Sequence, residues 1–292
     1  MRRSGEPAFD HRGSMRNAVV AQTLAALFLA LSCAAPAATP AISIVIDDMG
    51  DRRPEGLEVV ALPGPVACAV LPGTPYGAAL ARAAHGTEKE VLLHFPLQPI
   101  SGKAHPQAIT ERTSRSELAA RLREDLAALP FVSGVNTHQG SLLSQKVPPM
   151  HWLMAEIKAH GGLYFIDSYT TAQSAALKAA QDWGLHTTRR EVFLDDVRSD
   201  AQISFQLSRL ITLARRDGTS LAIGHPYSET IAVLRRELPK LESYGVRLVA
   251  PSELIRLRGE HPAPEFEPLL LKLTPAMAGL GVASSVAPPG SQ

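Results

Sequence analysis

Cysteine is nearly missing from this chain: Cys33 and Cys68 are the two among 292 residues. Cys33 falls in a stretch with the character of a targeting signal, which leaves Cys68 alone. One thiol cannot form an internal disulfide, so a disulfide-stapled scaffold is excluded and the fold must rest on its core. Excess charge of either sign is also missing. Lys and Arg total 29 against 28 Asp and Glu, a net charge of +1, and no basic block stands out, so nothing calls for nucleic acid. Aromatic residues make up 5%, too few for a long sugar-stacking platform; Trp152 and Trp183 read equally well as core residues. No internal repeat is found, which argues against solenoids and propellers. What is present is 45% hydrophobic and 20% charged, an ordinary globular balance in a chain long enough to bury a large core.

The N-terminus carries the first specific signal. Met15-Arg16-Asn17 leads into an apolar run from Ala18 to Leu31, followed by the small residues Ser32-Cys33-Ala34-Ala35-Pro36-Ala37-Ala38. A short positive region, an apolar stretch too short to span a bilayer comfortably and an A-x-A-like exit at Ala35-Pro36-Ala37 read as a signal peptide. Met15 then serves as an alternative initiator. A membrane anchor that is never cut is the competing account. The Leu31-Ser32-Cys33 context gives Cys33 a second reading as a lipid-anchor site. The expected organisation is an N-terminal extension and signal peptide over 1–38, one domain over 41–258, and a flexible Pro-rich tail over 259–292 that includes Leu269-Leu270-Leu271. Export to the periplasm follows, with no transmembrane segment after cleavage.

Within the domain, apolar runs alternate with amphipathic ones. Ile42–Ile46, Val66–Leu71, Val91–Leu93, Gly134–Val135, Leu163–Ile166, Val192–Leu194, Leu221–Ile223 and Val246–Val249 read as short strands covered on both faces. Ser116–Leu129, Trp152–Lys158, Ala172–Asp182, Ile203–Arg216 and Ser228–Tyr244 read as helices, with Ser114-Arg115-Ser116-Glu117 as a capping box for the first. Alternating strands and helices mean βαβ units and a parallel sheet. The expected fold is an irregular α/β barrel of about seven parallel strands; an open doubly wound sheet is the runner-up.

Nearly every expected strand ends in a residue able to bind a metal or move a proton: Asp47-Asp48, His94, Asn136-Thr137-His138, Asp167, Asp195-Asp196 and His225. In parallel barrels the strand C-termini converge on one face, where sites are built. Two adjacent carboxylates after an apolar strand repel unless a cation or proton lies between them, although one Asp could instead cap the next helix. His94 and His138 are candidate ligands as neutral imidazoles; each could equally be a hydrogen-bonded core histidine. Gly224-His225-Pro226 is a plausible mounting for a general acid. His11, His105, His160, His186 and His261 read as surface residues, and His85 as a cation at a helix C-terminus.

Taken in order, Val45-Ile46-Asp47-Asp48-Met49-Gly50, Leu93-His94-Phe95-Pro96-Leu97-Gln98-Pro99, Gly134-Val135-Asn136-Thr137-His138-Gln139-Gly140-Ser141, Phe165-Ile166-Asp167-Ser168, Val192-Phe193-Leu194-Asp195 and Ala222-Ile223-Gly224-His225-Pro226 resemble the divergent polysaccharide deacetylases, relatives of the NodB-like carbohydrate esterases. The resemblance spans roughly Ile42 to Ser252. It implies Asp47 as catalytic base, Asp48 as a metal ligand, His94 as the first histidine ligand and His225 as the late acid. Gln98 departs from the pattern, standing where a second histidine ligand belongs, and Asn136-Thr137-His138-Gln139-Gly140 replaces an Arg-x-Pro-x-Gly type motif. His138 is then inferred to supply the missing imidazole, with Gln98 ligation as the competing account.

The implied activity is removal of acetyl groups from N-acetylated sugars or a peptidoglycan-like glycan. A divalent metal, zinc by expectation, is bound by Asp48, His94 and His138. Asp47 is the base and His225 the acid, kept in tune by Asp167 or Asp195. A second reading, supported by the departures at Gln98 and Asn136, is a catalytically silent periplasmic domain that binds glycan or protein. A hydrolase of another amide or ester is a third.

Overall fold

The computed structural model describes residues 39–259. The expected signal peptide, Cys33 and the expected tail beyond residue 259 lie outside the described residues. The chain runs β1 (Ala41–Met49), α1 (Arg53–Val60), β2 (Ala67–Val70), α2 (Gly77–His85), β3 (Val91–Leu97), α3 (Arg115–Ala128), β4 (Val132–Gln139), α4 (Val147–His160), β5 (Tyr164–Asp167), α5 (Ala176–Asp182), β6 (Thr187–Arg189), β7 (Val192–Phe193), α6 (Asp200–Asp217), β8 (Thr219–Gly224), α7 (Ser228–Glu237), β9 (Arg247–Leu248) and α8 (Pro251–Leu257), with two 3-10 turns at Leu143–Gln145 and Leu238–Tyr244.

All recorded strand pairs are parallel, in the order β6-β5-β4-β3-β2-β1-β8-β7, and the short β9 pairs with Ala41 and Ile42 at the start of β1. The two ends of this path, β6 and β7, are separated in the chain by Arg190 and Glu191 alone. A two-residue link spans at most about 11 Å, so the sheet must curl until its ends nearly meet. The result is the expected barrel-like α/β fold with a seam where β6 and β7 do not pair. Arg258, just after α8, reaches across the seam to Thr188, Glu191 and Thr219.

Alternation along each strand divides the core in two. Ile42, Ile44 and Ile46 of β1 join Leu93, Phe95, Val135 and Phe165 in the layer between sheet and helices. Ala41 and Val45 turn inward with Leu92, Tyr164, Ile166, Leu221 and Ile223 to fill the lumen. Val249, Leu254 and Ile255 complete the lumen cluster, so β9 and α8 plug the barrel at the N-terminal ends of the strands. The two faces explain why the strands read as continuous apolar runs rather than clean alternation. Gly134 is required beside the plug, because a Cβ there would meet the Tyr164 ring at 2.4 Å.

All eight expected strands are present, and β6 is additional; Thr187-Thr188-Arg189 offers no apolar run to announce it. Strands β1, β3 and β4 extend to Met49, Leu97 and Gln139, so the candidate site residues lie on the strands rather than after them. The capping box is present, with Ser114 accepting from the Glu117 N–H and the Glu117 carboxylate accepting from the Ser114 N–H. The expected helix from Ser228 to Tyr244 stays α-helical only to Glu237. Pro239 lacks the N–H the next turn needs, and the chain tightens into a 3-10 turn.

One helix carries a buried carboxyl with an oxygen that no hydrogen bond satisfies. Asp125 of α3 is 4% exposed and its Oδ2 has no hydrogen-bond partner. Burial pushes the carboxyl up to about 6, against the pull of Arg121. A raised carboxyl pKa stabilises the fold below the unfolded value near 4, and that contribution is lost as pH rises through about 6. Asp125→Asn is therefore expected to stabilise the protein by about 2 kcal/mol at pH 7 and to leave it unchanged near pH 3, as read from urea unfolding at both pH values.

Candidate metal centre

Neighbouring residues on a regular strand point to opposite faces, yet Asp47 and Asp48 meet in one site. The cause is a bulge between Ile46 and Met49, where β1 advances three residues against two of β2, and a left-handed backbone at Asp48 with φ 54°. A bulge of this kind re-aims a side chain, and for a non-glycine residue the left-handed region costs about 1–2 kcal/mol. Strain at a strand end is thereby spent on bringing two carboxylates together. Gly50 follows with φ 132°, and a Cβ there would collide with Thr74.

Three atoms converge beside this bulge. Asp48 Oδ1 lies 2.8 Å from His138 Nδ1 and 3.2 Å from His94 Nε2, and the two ring nitrogens are 3.2 Å apart. His94 stands on β3 and His138 on β4, two residues apart in register and so on the same face, since His138 pairs with Pro96 and Asn136 with His94. Asp48 Oδ1 is shielded from solvent and faces only these two nitrogens.

The fully buried Asn136 fixes the chemistry of His94. Its Nδ2 donates to Asp47 Oδ1 at 2.7 Å, so its Oδ1 is left to accept from His94 Nδ1 at 2.8 Å. With the proton of the neutral ring held on Nδ1, the Nε2 lone pair points at the Asp48 oxygen and the second imidazole. Lone pairs so arranged demand a proton or a cation between them. Burial disfavours the imidazolium, but Asp47 and Asp48 more than offset it and push His94 up to about 9. Burial likewise raises Asp48, yet the hydrogen bonds from His138 and His94 reverse this and hold it well below the usual carboxylate range. Asp47 is different: burial dominates and raises its pKa, against the pull of His94, His225 and Asn136.

His225, just past β8, faces the cluster from the other side, its Nε2 3.8 Å from Asp48 Oδ2. Its Nδ1 donates to Asp195 Oδ1 at 2.9 Å. Asp195 Oδ2 accepts from the His225 backbone N–H at 2.6 Å and from the buried Thr230 hydroxyl of α7 at 2.7 Å. Both carboxylate oxygens are thus satisfied, and burial notwithstanding, the Asp195 and Asp47 charges raise the pKa of His225. A Cβ at Gly224 would come within 3.2 Å of Asp195 Oδ2, which explains the glycine in the Gly224-His225 pair.

The structure therefore brings together Asp47, Asp48, His94, His138, His225 and Asp195. Asp167 is turned elsewhere: its oxygens accept from Tyr169 N–H, the Ser174 hydroxyl and Leu177 N–H, folding the turn that leads into α5. Gln98 is also occupied, its amide oxygen accepting from Glu111 N–H. A cavity of about 440 Å³ opens over the cluster and is lined further by Ser168, Thr170, Arg190 and Phe193. Sequence reasoning assigned no role to Asn136, Thr230, Ser168 or Arg190. It also placed His105 on the surface, whereas the ring is half-buried with its centroid 5.7 Å from that of His138. Only the polar residues inside an apolar strand, such as Asn136, gave a signal that could have been followed.

Residues 44–255 match the family described as divergent polysaccharide deacetylase. The chain belongs to that family. It is 36% identical over 231 residues to the uncharacterized protein YibQ of Escherichia coli K12, covering 79% of this chain and 71% of that one. An uncharacterized protein of Haemophilus influenzae Rd is 32% identical over 244 residues, covering 78% and 87%. Among solved structures, an uncharacterized protein of Agrobacterium tumefaciens C58 superposes with a TM-score of 0.72 at 22% identity, covering 75% of this chain and 91% of that one; that likeness is one of fold.

In this member of the divergent polysaccharide deacetylases, Asn136→Leu would leave Asp47 buried without its donor. Loss of a hydrogen bond to a charged group typically costs about 1.5–3 kcal/mol, so urea unfolding of the variant should show a loss of that order. An unchanged midpoint would mean that Asn136 does not join Asp47 to His94.

Proposed function

We propose that this chain is an exported, metal-dependent hydrolase that removes acetyl groups from N-acetylated sugars or a cell-wall glycan. The observation that carries the reading is the triangle of Asp48 Oδ1, His94 Nε2 and His138 Nδ1 with sides of 2.8–3.2 Å. Membership of the divergent polysaccharide deacetylase family supports the choice of reaction.

The donor set fits a divalent ion of the zinc type. One carboxylate and two imidazoles are its preferred oxygen and nitrogen ligands, and the edges of a tetrahedral zinc site are roughly 3.3 Å. Asp48 Oδ1, buried against two ring nitrogens, is the kind of atom a cation would satisfy. A zinc ion in such a site supplies Lewis-acid polarisation of the carbonyl and lowers the pKa of water. Asn136 supports the set by holding the His94 ring in the tautomer that offers Nε2.

The remaining residues divide the proton transfers. Asp47 keeps Oδ1 on Asn136 and leaves Oδ2 to take the proton of the attacking water. His225, oriented by Asp195 through Nδ1, presents Nε2 to the departing amine and protonates it. Thr230 and the His225 N–H hold the Asp195 carboxylate in place. Asp167 acts indirectly, by shaping the turn that carries Ser168 and Thr170 into the cavity wall. The apolar run Ala18–Leu31 and its small-residue exit support export to the periplasm, with Cys33 as a lipid-anchor alternative; among the described residues no helix is long and apolar enough to cross a membrane.

The glutamine at position 98 favours a second reading, a silent glycan- or protein-binding domain. His138 answers it by offering an imidazole where the ordinary pattern has none. Metal content decides. His94→Ala and His138→Ala should each lose most bound zinc, whereas Gln98→Ala should keep it. Asp47→Asn and His225→Ala should keep the metal and lower deacetylation by about 100-fold or more. If wild-type protein loaded with zinc and dialysed retains none, the binding-domain reading takes its place.

A further inference from the structure

Arg190 carries a charge that the described residues do not answer at contact distance. It occupies the two-residue link between β6 and β7, at the seam of the barrel, and lines the 440 Å³ cavity. Three contacts fix its guanidinium. Nε donates to Ser168 O at 2.7 Å, Nη2 donates to Tyr169 O at 2.8 Å, and the plane lies over the Phe193 ring, 4.9 Å from its centroid. Both acceptors are neutral carbonyls. Asp47, Asp167 and Asp196 act on it only through space, and no ion pair to Arg190 is formed among the described residues.

A half-buried guanidinium with neutral partners has lost water without gaining a counter-charge, an arrangement that is costly unless something completes it. Nη1 carries two N–H bonds and makes no hydrogen bond among the described residues. Ser168 adds a further donor. Its Oγ accepts from Thr137 N–H at 3.2 Å, which leaves its own O–H proton to be given to a ligand in the same cavity. The planar fork of an arginine matches a carboxylate better than any neutral group. Holding the turn at Ser168 and Tyr169 uses Nε and Nη2 alone and leaves Nη1 without a purpose.

We propose that Arg190, with the Ser168 hydroxyl lining the same cavity, forms a subsite for a carboxylate of the substrate, so that the glycan preferred by this site is acidic. The proposal rests on the deacetylase reading for its neighbour, the acetamide, but the carboxylate contact itself does not require turnover. The carboxylate belongs either to the sugar, as a lactyl ether or uronic acid, or to a short peptide attached to it.

The test uses zinc-loaded full-length protein and two N-acetylated oligosaccharides, one with its carboxylate on the sugar and one with it on an attached peptide. Each is compared with a copy in which the carboxylates are converted to amides. Binding is measured by calorimetry and deacetylation by release of acetate. Wild-type protein is expected to bind one acidic form at least 10-fold more tightly than its amide, and the acidic form preferred identifies the source. Arg190→Gln should reduce that preference to about twofold or less, and Arg190→Lys should recover only part of it. Equal binding of acid and amide by wild type overturns the subsite, as does a full preference surviving in Arg190→Gln. The wild-type comparison alone is decisive if the variants fold poorly. Hydrolysis without charge preference would overturn the subsite and leave the deacetylase reading standing; charge-selective binding without acetate release would do the reverse.

Discussion

Two carboxylates one residue apart cannot both remain ionised out of water unless positive charge lies between them. The bulge at the end of β1 creates this condition by turning Asp48 toward the face that Asp47 already occupies. The surrounding groups follow from it. His94 and His138 approach Asp48 from β3 and β4, and Asn136 stands between His94 and Asp47 so that neither is without a partner. The pair is also made unequal. Asp48 is held ionised by two imidazoles, while Asp47, buried and given one amide donor, is raised. Inequality of this kind lets neighbouring carboxylates take different tasks, one committed to a cation and the other to a proton.

The two ends of the barrel are built for opposite purposes. At the C-terminal ends of the strands polar groups accumulate, left-handed residues recur at Asp48, Gln139 and Tyr169, and a cavity remains. At the N-terminal ends, α8 fills the lumen with Leu254 and Ile255, and Arg258 stitches β6 to β8. The strained and solvated end is affordable because the other is closed by apolar packing.

Much of the fold was legible because buried parallel strands announce themselves as apolar runs bounded by turn residues. Strand β6 was not, since two threonines and an arginine carry no such signature; they are ordered by the pairing with β5 and by Arg258. The clustering of Asp47-Asp48, His94, His138 and His225 was legible because ionisable residues at strand ends stand out against apolar neighbours. Asp167 looked the same in sequence and proved to be a turn former, since a carboxylate at a strand end serves equally well to accept backbone N–H groups. Asn136, Thr230 and Arg190 could not be assigned roles, because each acts on a residue from a distant part of the chain and only the curled sheet brings the pairs together.

The plug has a consequence for how the chain comes to be folded. Strand β9 and helix α8 are the last described elements, yet they pair with and seal β1, the first. During synthesis the inward face of β1 must therefore wait, with Val45 and its neighbours uncovered, until some two hundred further residues have been made. Contacts so distant in sequence form slowly, and an incomplete barrel exposes both apolar surface and unpaired strand edges. A chain of this design is vulnerable to aggregation while it grows, and benefits from any companion that keeps it unfolded until α8 has arrived.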